Sequence, residues 1–237
     1  MRTILAIGGG GFLMEGALSP IDRHLLHLTV KTRQRVCVIP TPTGDSQDVI
    51  DAFYAAFDPF AQTAQLTPFR KPTARSIGLR AIAESLCEQD AVYVTGGNTT
   101  SALAVWREWG IDTALRAAYE RGVIICGMSA GAVAWFDFAF SDSWNDGGFA
   151  PLQGLGWLPG GACPHAGSEG GIRARALDAA VRTGAMPASV AIDDYAAVLF
   201  QNETLAERIN WRVGSDVRYV VQSNEQMQTL AVPLRRL

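Results

Sequence analysis

Along most of the chain, short apolar runs alternate with longer segments of helical period. The runs at Thr3–Ile7, Arg35–Ile39, 90–95 and 123–126 are rich in Val, Ile, Leu and Ala and read as buried strands, and 65–69 reads as a further, shorter strand. Between them, helical spacing predicts helices from Ser19-Pro20 to about residue 33, from Gly44-Asp45-Ser46 to 57, and over 74–87, 100–109 and 112–121. Ser19 before Pro20 is the pairing of an N-cap with a first-turn proline. A short helix is expected over 130–136. Residues 140–149, rich in Ser, Asp, Asn and Gly, are expected to form a loop. Residues 152–161 read as a short strand or extended segment, 170–182 as a helix, and 190–194 and 196–200 as two strands. Antiparallel edge strands are expected at 217–221 and 228–232. Strands alternating with helices at this spacing predict a single-domain, three-layer α/β/α fold over 1–237 with a mostly parallel sheet.

Glycine-bearing turns follow three of these strands, at Gly8-Gly9-Gly10-Gly11, Gly96-Gly97-Asn98-Thr99 and Gly127-Met128-Ser129-Ala130-Gly131. Ligands of such sheets bind beyond the carboxyl ends of the strands, where all three turns fall. The last has the Gly-x-Ser-x-Gly form of a nucleophile elbow, a sharp strand-to-helix turn that presents a serine hydroxyl. A helix N-cap explains the same residues, but the convergence of the three turns favours a nucleophile. The glycines at 8–11 do not fit the spacing of a dinucleotide loop and are expected to let the backbone approach the floor of a site.

A serine needs a base, and of the three histidines only His165 lies in a loop after the elbow. His24 and His27, one helical turn apart, have no third ligand nearby and read as a helix face, so no metal and no cofactor are expected. For the acid that orients His165, Asp137, Asp142 and Asp146 would give the order Ser–Asp–His, but they crowd the segment just after the elbow. Asp193 and Asp194 sit at a strand end. Neighbouring residues of a strand face opposite ways, so at most one of this pair can face the histidine. The expected order is Ser129, His165, then Asp193 or Asp194. The amide of Ala130, and one from the Gly96–Asn98 turn, taken as Gly97, are the expected oxyanion donors.

These motifs resemble the peptidase E family of serine peptidases, which includes aspartyl dipeptidases and cyanophycinases and has the class I glutamine amidotransferase-like fold. Gly96-Gly97-Asn98-Thr99, Gly127-Met128-Ser129-Ala130-Gly131-Ala132, Pro164-His165 and Ile192-Asp193-Asp194-Tyr195-Ala196-Ala197 carry the resemblance, with Ser141-Asp142-Ser143 and Gly154-Leu155-Gly156 in support. It implies Ser129 as nucleophile, His165 as base, Gly97 and Ala130 as oxyanion donors, and favours Asp194 over Asp193 as the acid. It also implies Arg173, on the helix after His165, as the reader of a substrate carboxylate, and we place Asn98 beside it as a substrate contact. Serine at the elbow argues against a glutaminase, whose nucleophile is cysteine. The chain departs from the aspartyl dipeptidases at Tyr195 and over 166–171, which separates the hydrolytic centre from Asp selectivity.

Composition narrows the alternatives. The net charge is −3 and no Lys/Arg-rich run occurs, which gives no footprint for nucleic acid or an anionic membrane. The apolar start is too short for a secretory or membrane segment, and the four cysteines lack paired spacing, so a cytoplasmic chain with free thiols is expected. The expected protein is a monomer or homodimer that hydrolyses short peptides, including dipeptides that begin with Asp. The alternatives are a cyanophycinase-like or esterase activity on the same centre, or a non-catalytic member that binds a peptide or metabolite.

Overall fold

A computed structural model describes residues 1–29, 31–144, 147–221, 228–229 and 232–237. In chain order its elements are β1 (Thr3–Ile7), α1 (Gly11–Glu15), α2 (Pro20–His27), β2 (Arg35–Ile39), α3 (Gln47–Phe57), β3 (Gln62–Gln65), α4 (Ile82–Cys87), β4 (Ala91–Val94), α5 (Thr99–Trp109) and α6 (Ile111–Glu120). The second half follows as β5 (Ile124–Met128), α7 (Ala130–Val133), β6 (Phe136–Ser141), β7 (Ala150–Gln153), β8 (Leu158–Cys163), α8 (Ile172–Arg182), β9 (Ser189–Ile192), β10 (Ala196–Gln201), β11 (Thr204–Asn210), β12 (Val217–Val220), β13 (Gln228–Thr229) and β14 (Leu234–Arg236).

The first half builds a parallel sheet because its strands are apolar on both faces. The order is β14-β11-β10-β1-β5-β4-β2-β3, parallel from β1 through β3, with β10 and β11 antiparallel beside β1. Along β1, Leu5 and Ile7 pack into the core shared with α1, α2 and α3, while Ile4 and Ala6 face the opposite core. That second core is closed by α4, α5 and α6 and by a further sheet, ordered β13-β12-β9-β8-β6-β7. Helix α8 covers the far face of the second sheet with Ala174, Leu177 and Val181.

Several boundaries differ from the sequence expectation. The apolar stretch from Ala130 is helical only to Val133, and Phe136–Ser141, expected as helix and loop, is strand β6 paired to β7 and β8. Trp135, between them, is fully buried and lies in a ladder of rings: 5.8 Å from Trp106 and 4.8 Å from Trp157, which is 5.4 Å from Tyr119. The indole cannot follow a helical path and keep these partners, so the chain turns into a strand. Helix α2 stops at His27, β3 lies three residues earlier than expected, and α4 begins only at Ile82 after a single 3-10 turn at Leu79–Ala81. Strand β11 was not expected at all. The strand read over 228–232 falls partly outside the described residues, and Gln228–Thr229 pair antiparallel with β12.

Ser19 caps α2 as its sequence predicts, in a capping box with Asp22. Asp22 is fully buried and accepts from the Ser19 amide (3.0 Å) and hydroxyl (2.8 Å). Burial outweighs these bonds and pushes its carboxyl up to about 6. A raised carboxyl binds its proton more tightly in the folded state, so folding gains stability as pH falls through about 6 toward 3.8. Thermal scans should therefore show Tm rising from pH 7 to 5. The rise should shrink in Asp22→Asn; an undiminished rise would rule out Asp22 as its source.

Candidate active site

Strand β5 ends against α7, and the reversal is possible because side chains are missing on both sides of Ser129. A Cβ on Gly127 would run into the Gly131 carbonyl, and one on Gly131 into the Val94 carbonyl. Ser129 itself has φ 55° and ψ −113°, a conformation costly for a residue with a Cβ, by roughly 1–3 kcal/mol. Its amide donates to Ile7 at the end of β1 (3.0 Å), and its carbonyl accepts from Ala132 (2.9 Å), the first turn of α7. From Val123 to Phe136 every residue except Ser129 is buried. The strain thus lifts one hydroxyl out of an otherwise closed core.

His165 also has positive φ (53°), as does Tyr195 (60°). The His165 Nδ1–H donates to Asp194 Oδ1 at 2.5 Å, which fixes the ring and leaves Nε2 as the free nitrogen. The Gly8–Gly11 turn forms the floor beneath this pair. A Cβ on Gly9 would collide with Asp194 Oδ1 and lie 2.7 Å from His165 Nδ1. Gly9 is two residues beyond Ile7, the partner of Ser129, so the elbow and the His165–Asp194 pair adjoin one strand end. The Tyr195 amide donates to the Gly9 carbonyl (2.7 Å), locking the acid-bearing turn to the same floor.

Asp194 is half-buried and its second oxygen accepts from the Ser168 hydroxyl. The bond from His165, helped by Ser168 and by the positive charge of Arg173, holds the Asp194 carboxyl below the usual carboxylate range against the opposing effect of burial. Ser168 did not enter the sequence reading. Its signal was a hydroxyl three residues after the histidine in a glycine-flanked loop, but the loop's path back to Asp194 is not local information. The Ser168 amide also donates to the His165 carbonyl (3.1 Å), closing that path.

Asp193 faces elsewhere, which corrects its candidacy as the orienting acid. Its carboxylate takes Arg218 at 2.6 Å and the Asp216 amide at 3.1 Å, tying β9 to β12. Alternation of side chains at the strand end sends the two acids apart. Asp137 accepts from the Gly160 amide (2.9 Å) and Asp142 pairs with Arg173 (2.7 Å), while Asp146 lies outside the described residues.

Of the two expected donors, one is exposed and the other, Ala130, is buried. Gly97 is exposed at φ 133°, pressed against the turn at Thr41–Thr43, where a Cβ would collide with the Pro42 carbonyl. Ala130 begins α7. The side chain of Asn98, expected as a substrate contact, is engaged within the fold: Oδ1 caps α5 by accepting from Ser101 (2.9 Å), and Nδ2 donates to the Ser143 carbonyl (2.9 Å). Arg173 stacks 4.5 Å over Phe149 and holds Asp142, so its guanidinium already has a carboxylate partner. The cysteines are all free, and Cys126, inside β5, is buried with its thiol pushed well above its ordinary value. Among the described residues no group of three or more His, Cys, Asp or Glu side chains could hold a metal, and no helix is long and apolar enough to cross a membrane.

Comparison with known proteins adds to this geometry. Residues 4–208 match the model of peptidase family S51. The uncharacterized peptidase YgaJ of Bacillus subtilis (strain 168) is 34% identical over 238 residues, covering 100% of both chains. Two solved structures share the fold at 16% identity. One is a peptidase from an acI-B1 Actinobacterium (TM-score 0.71, covering 98% of this chain and 95% of that one). The other is described as a peptidase E protein of Listeria monocytogenes EGD-e (TM-score 0.63, covering 90% and 100%).

Proposed function

The chain belongs to peptidase family S51, and from that membership we propose that it is a cytoplasmic serine peptidase of short peptides, acting through Ser129, His165 and Asp194. The observation that carries this reading is the bond from His165 Nδ1 to Asp194 Oδ1 at the strand ends that hold the strained, partly exposed Ser129. His165 Nε2 takes the proton from the Ser129 hydroxyl as Oγ attacks the scissile carbonyl, and Asp194 stabilises the imidazolium that results. The amides of Gly97 and Ala130 receive the negative charge on the carbonyl oxygen. His165 then gives its proton to the leaving amine, and water hydrolyses the acyl-enzyme by the same route.

Arg173 is the candidate for selectivity, since its charge reaches Asp194 and its fork suits a carboxylate. In this chain a substrate carboxylate would have to displace Asp142, whose side chain is 58% exposed. The Arg173 side chain is largely covered, at 14% exposed, so the partner free to swing into solvent is Asp142.

The test is a dipeptide library, with a β-aspartyl-arginine polymer and p-nitrophenyl esters as separate arms, run beside fluorophosphonate labelling mapped by mass spectrometry. Hydrolysis of dipeptides with label on Ser129 is expected, and Asp–X peptides should rank first if Arg173 reads the substrate. Labelling elsewhere, or turnover confined to the esters, would overturn the peptidase reading, and turnover confined to the polymer would overturn the short-peptide substrate.

A further inference from the structure

Between β6 and β7, Asp142, Ser143 and Phe149 contact the start of α5 and helix α8. At one side, Asp142 and Phe149 hold Arg173. At the other, Ser143 reaches the start of α5, 44 residues earlier in the chain: its hydroxyl accepts from the Thr99 amide at 3.0 Å, and its carbonyl accepts from Asn98 Nδ2 at 2.9 Å. We infer that Ser143 is a positioning residue for the oxyanion turn, acting on the Gly97 amide through Asn98 and Thr99. The inference rests on the serine-peptidase reading and names a further residue for it.

The amides that follow Gly97 have separate anchors. Asn98 donates to the Pro42 carbonyl at 2.7 Å, Thr99 donates to Ser143, and Ser101 donates to Asn98 Oδ1 at 2.9 Å. A helix usually leaves its first amide to water. Thr99 is only 3% exposed, so water cannot easily replace the serine. Without the hydroxyl the turn must carry an unsatisfied buried N–H or rotate to satisfy it, and rotation is passed through Asn98 to the Gly97 amide two peptides earlier. An oxyanion donor works within a few tenths of an ångström, around 2.7–3.1 Å from the charge.

Ser143 is itself held. Its hydroxyl lies 2.7 Å from that of Ser141, and its amide donates to Ser141 Oγ at 3.1 Å. Ser141 is buried at the end of β6, in register with Ala150 of β7. The second sheet thus delivers a fixed hydroxyl to a turn of the first. Pro42 supports Gly97 from one side and Ser143 holds the start of α5 from the other.

The test compares wild type with Ser143→Ala, Ser143→Thr and Ser141→Ala on the best peptide substrate. The readouts are kcat and KM, affinity for a peptide boronic acid that forms a tetrahedral adduct on the serine, and Tm. Ser143→Ala should lower kcat about 10- to 100-fold with KM within about twofold, weaken the boronate in step, and be largely restored by Thr. Ser141→Ala, which keeps the Ser143 hydroxyl but loosens it, should give a smaller loss of the same kind and serves if Ser143→Ala does not fold. An unchanged kcat, a loss carried by KM, or a loss that Thr does not restore would overturn the inference while leaving the peptidase reading intact. A wild type that neither hydrolyses peptides nor binds the boronate would overturn both.

Discussion

Ser129→Ala should abolish peptide hydrolysis, with kcat falling by up to about a millionfold, as for other serine hydrolases stripped of the nucleophile. The fold should be unaffected. Alanine keeps the Cβ that already sits at φ 55°, so the strain of the elbow is unchanged, and the lost hydroxyl belongs to the one residue between Val123 and Phe136 that is not buried. Tm should stay within the shift expected of about 0.5 kcal/mol. Measured kcat with Tm and near-ultraviolet circular dichroism separates loss of chemistry from loss of structure. A variant that turns over at the wild-type rate would remove Ser129 from the mechanism.

Asp194→Asn and Asp193→Asn should fail in different ways, although the residues are neighbours. The amide at 194 cannot stabilise an imidazolium and can hold the ring in the wrong tautomer, so kcat should drop about 10⁴-fold. The amide at 193 weakens a contact with Arg218 and the Asp216 amide. That change should appear mainly as lost stability, of order 1–3 kcal/mol, with a rate effect smaller by orders of magnitude. The pH profile offers a second check. Since the Asp194 carboxyl is held below its ordinary 3.8, it stays ionised above that pH, and its protonation should depress activity only below that value. If Asp193→Asn lost more rate than Asp194→Asn, the assignment of the acid would be reversed.

Much of this was legible because it is local. The strands β1, β2, β4 and β5 are continuous apolar runs, and only a position covered on both faces accepts such a run. The elbow glycines were legible because a Cβ two residues either side of Ser129 has no room. Strand β11 was not legible. It is joined to β10 by Asn202 and Glu203, both at positive φ (48° and 61°), in a hairpin that lacks the glycine by which such turns are usually recognised. Its first residues, Thr204 to Glu207, are not buried, so no apolar alternation announces it. Strand β6 was misread for the opposite reason. Its apolar residues suit a helix or a strand, and the choice is made by β7, β8 and the ring ladder around Trp135.

The candidate site divides along the same line. Residue order along the chain determined that a serine stands at a strand-to-helix reversal, that one histidine follows it, and that an acid pair closes the series. Those are statements about backbone geometry and residue type, which neighbours in sequence dictate. Only the tertiary structure decided that Asp194 and not Asp193 meets His165, that Ser168 takes the acid's other oxygen, that the Asn98 side chain caps α5, and that Arg173 arrives already paired with Asp142. Each of these is a hydrogen bond or ion pair between groups 3 to 31 residues apart, and which partner a polar group finds depends on which surfaces packing has brought within about 3 Å.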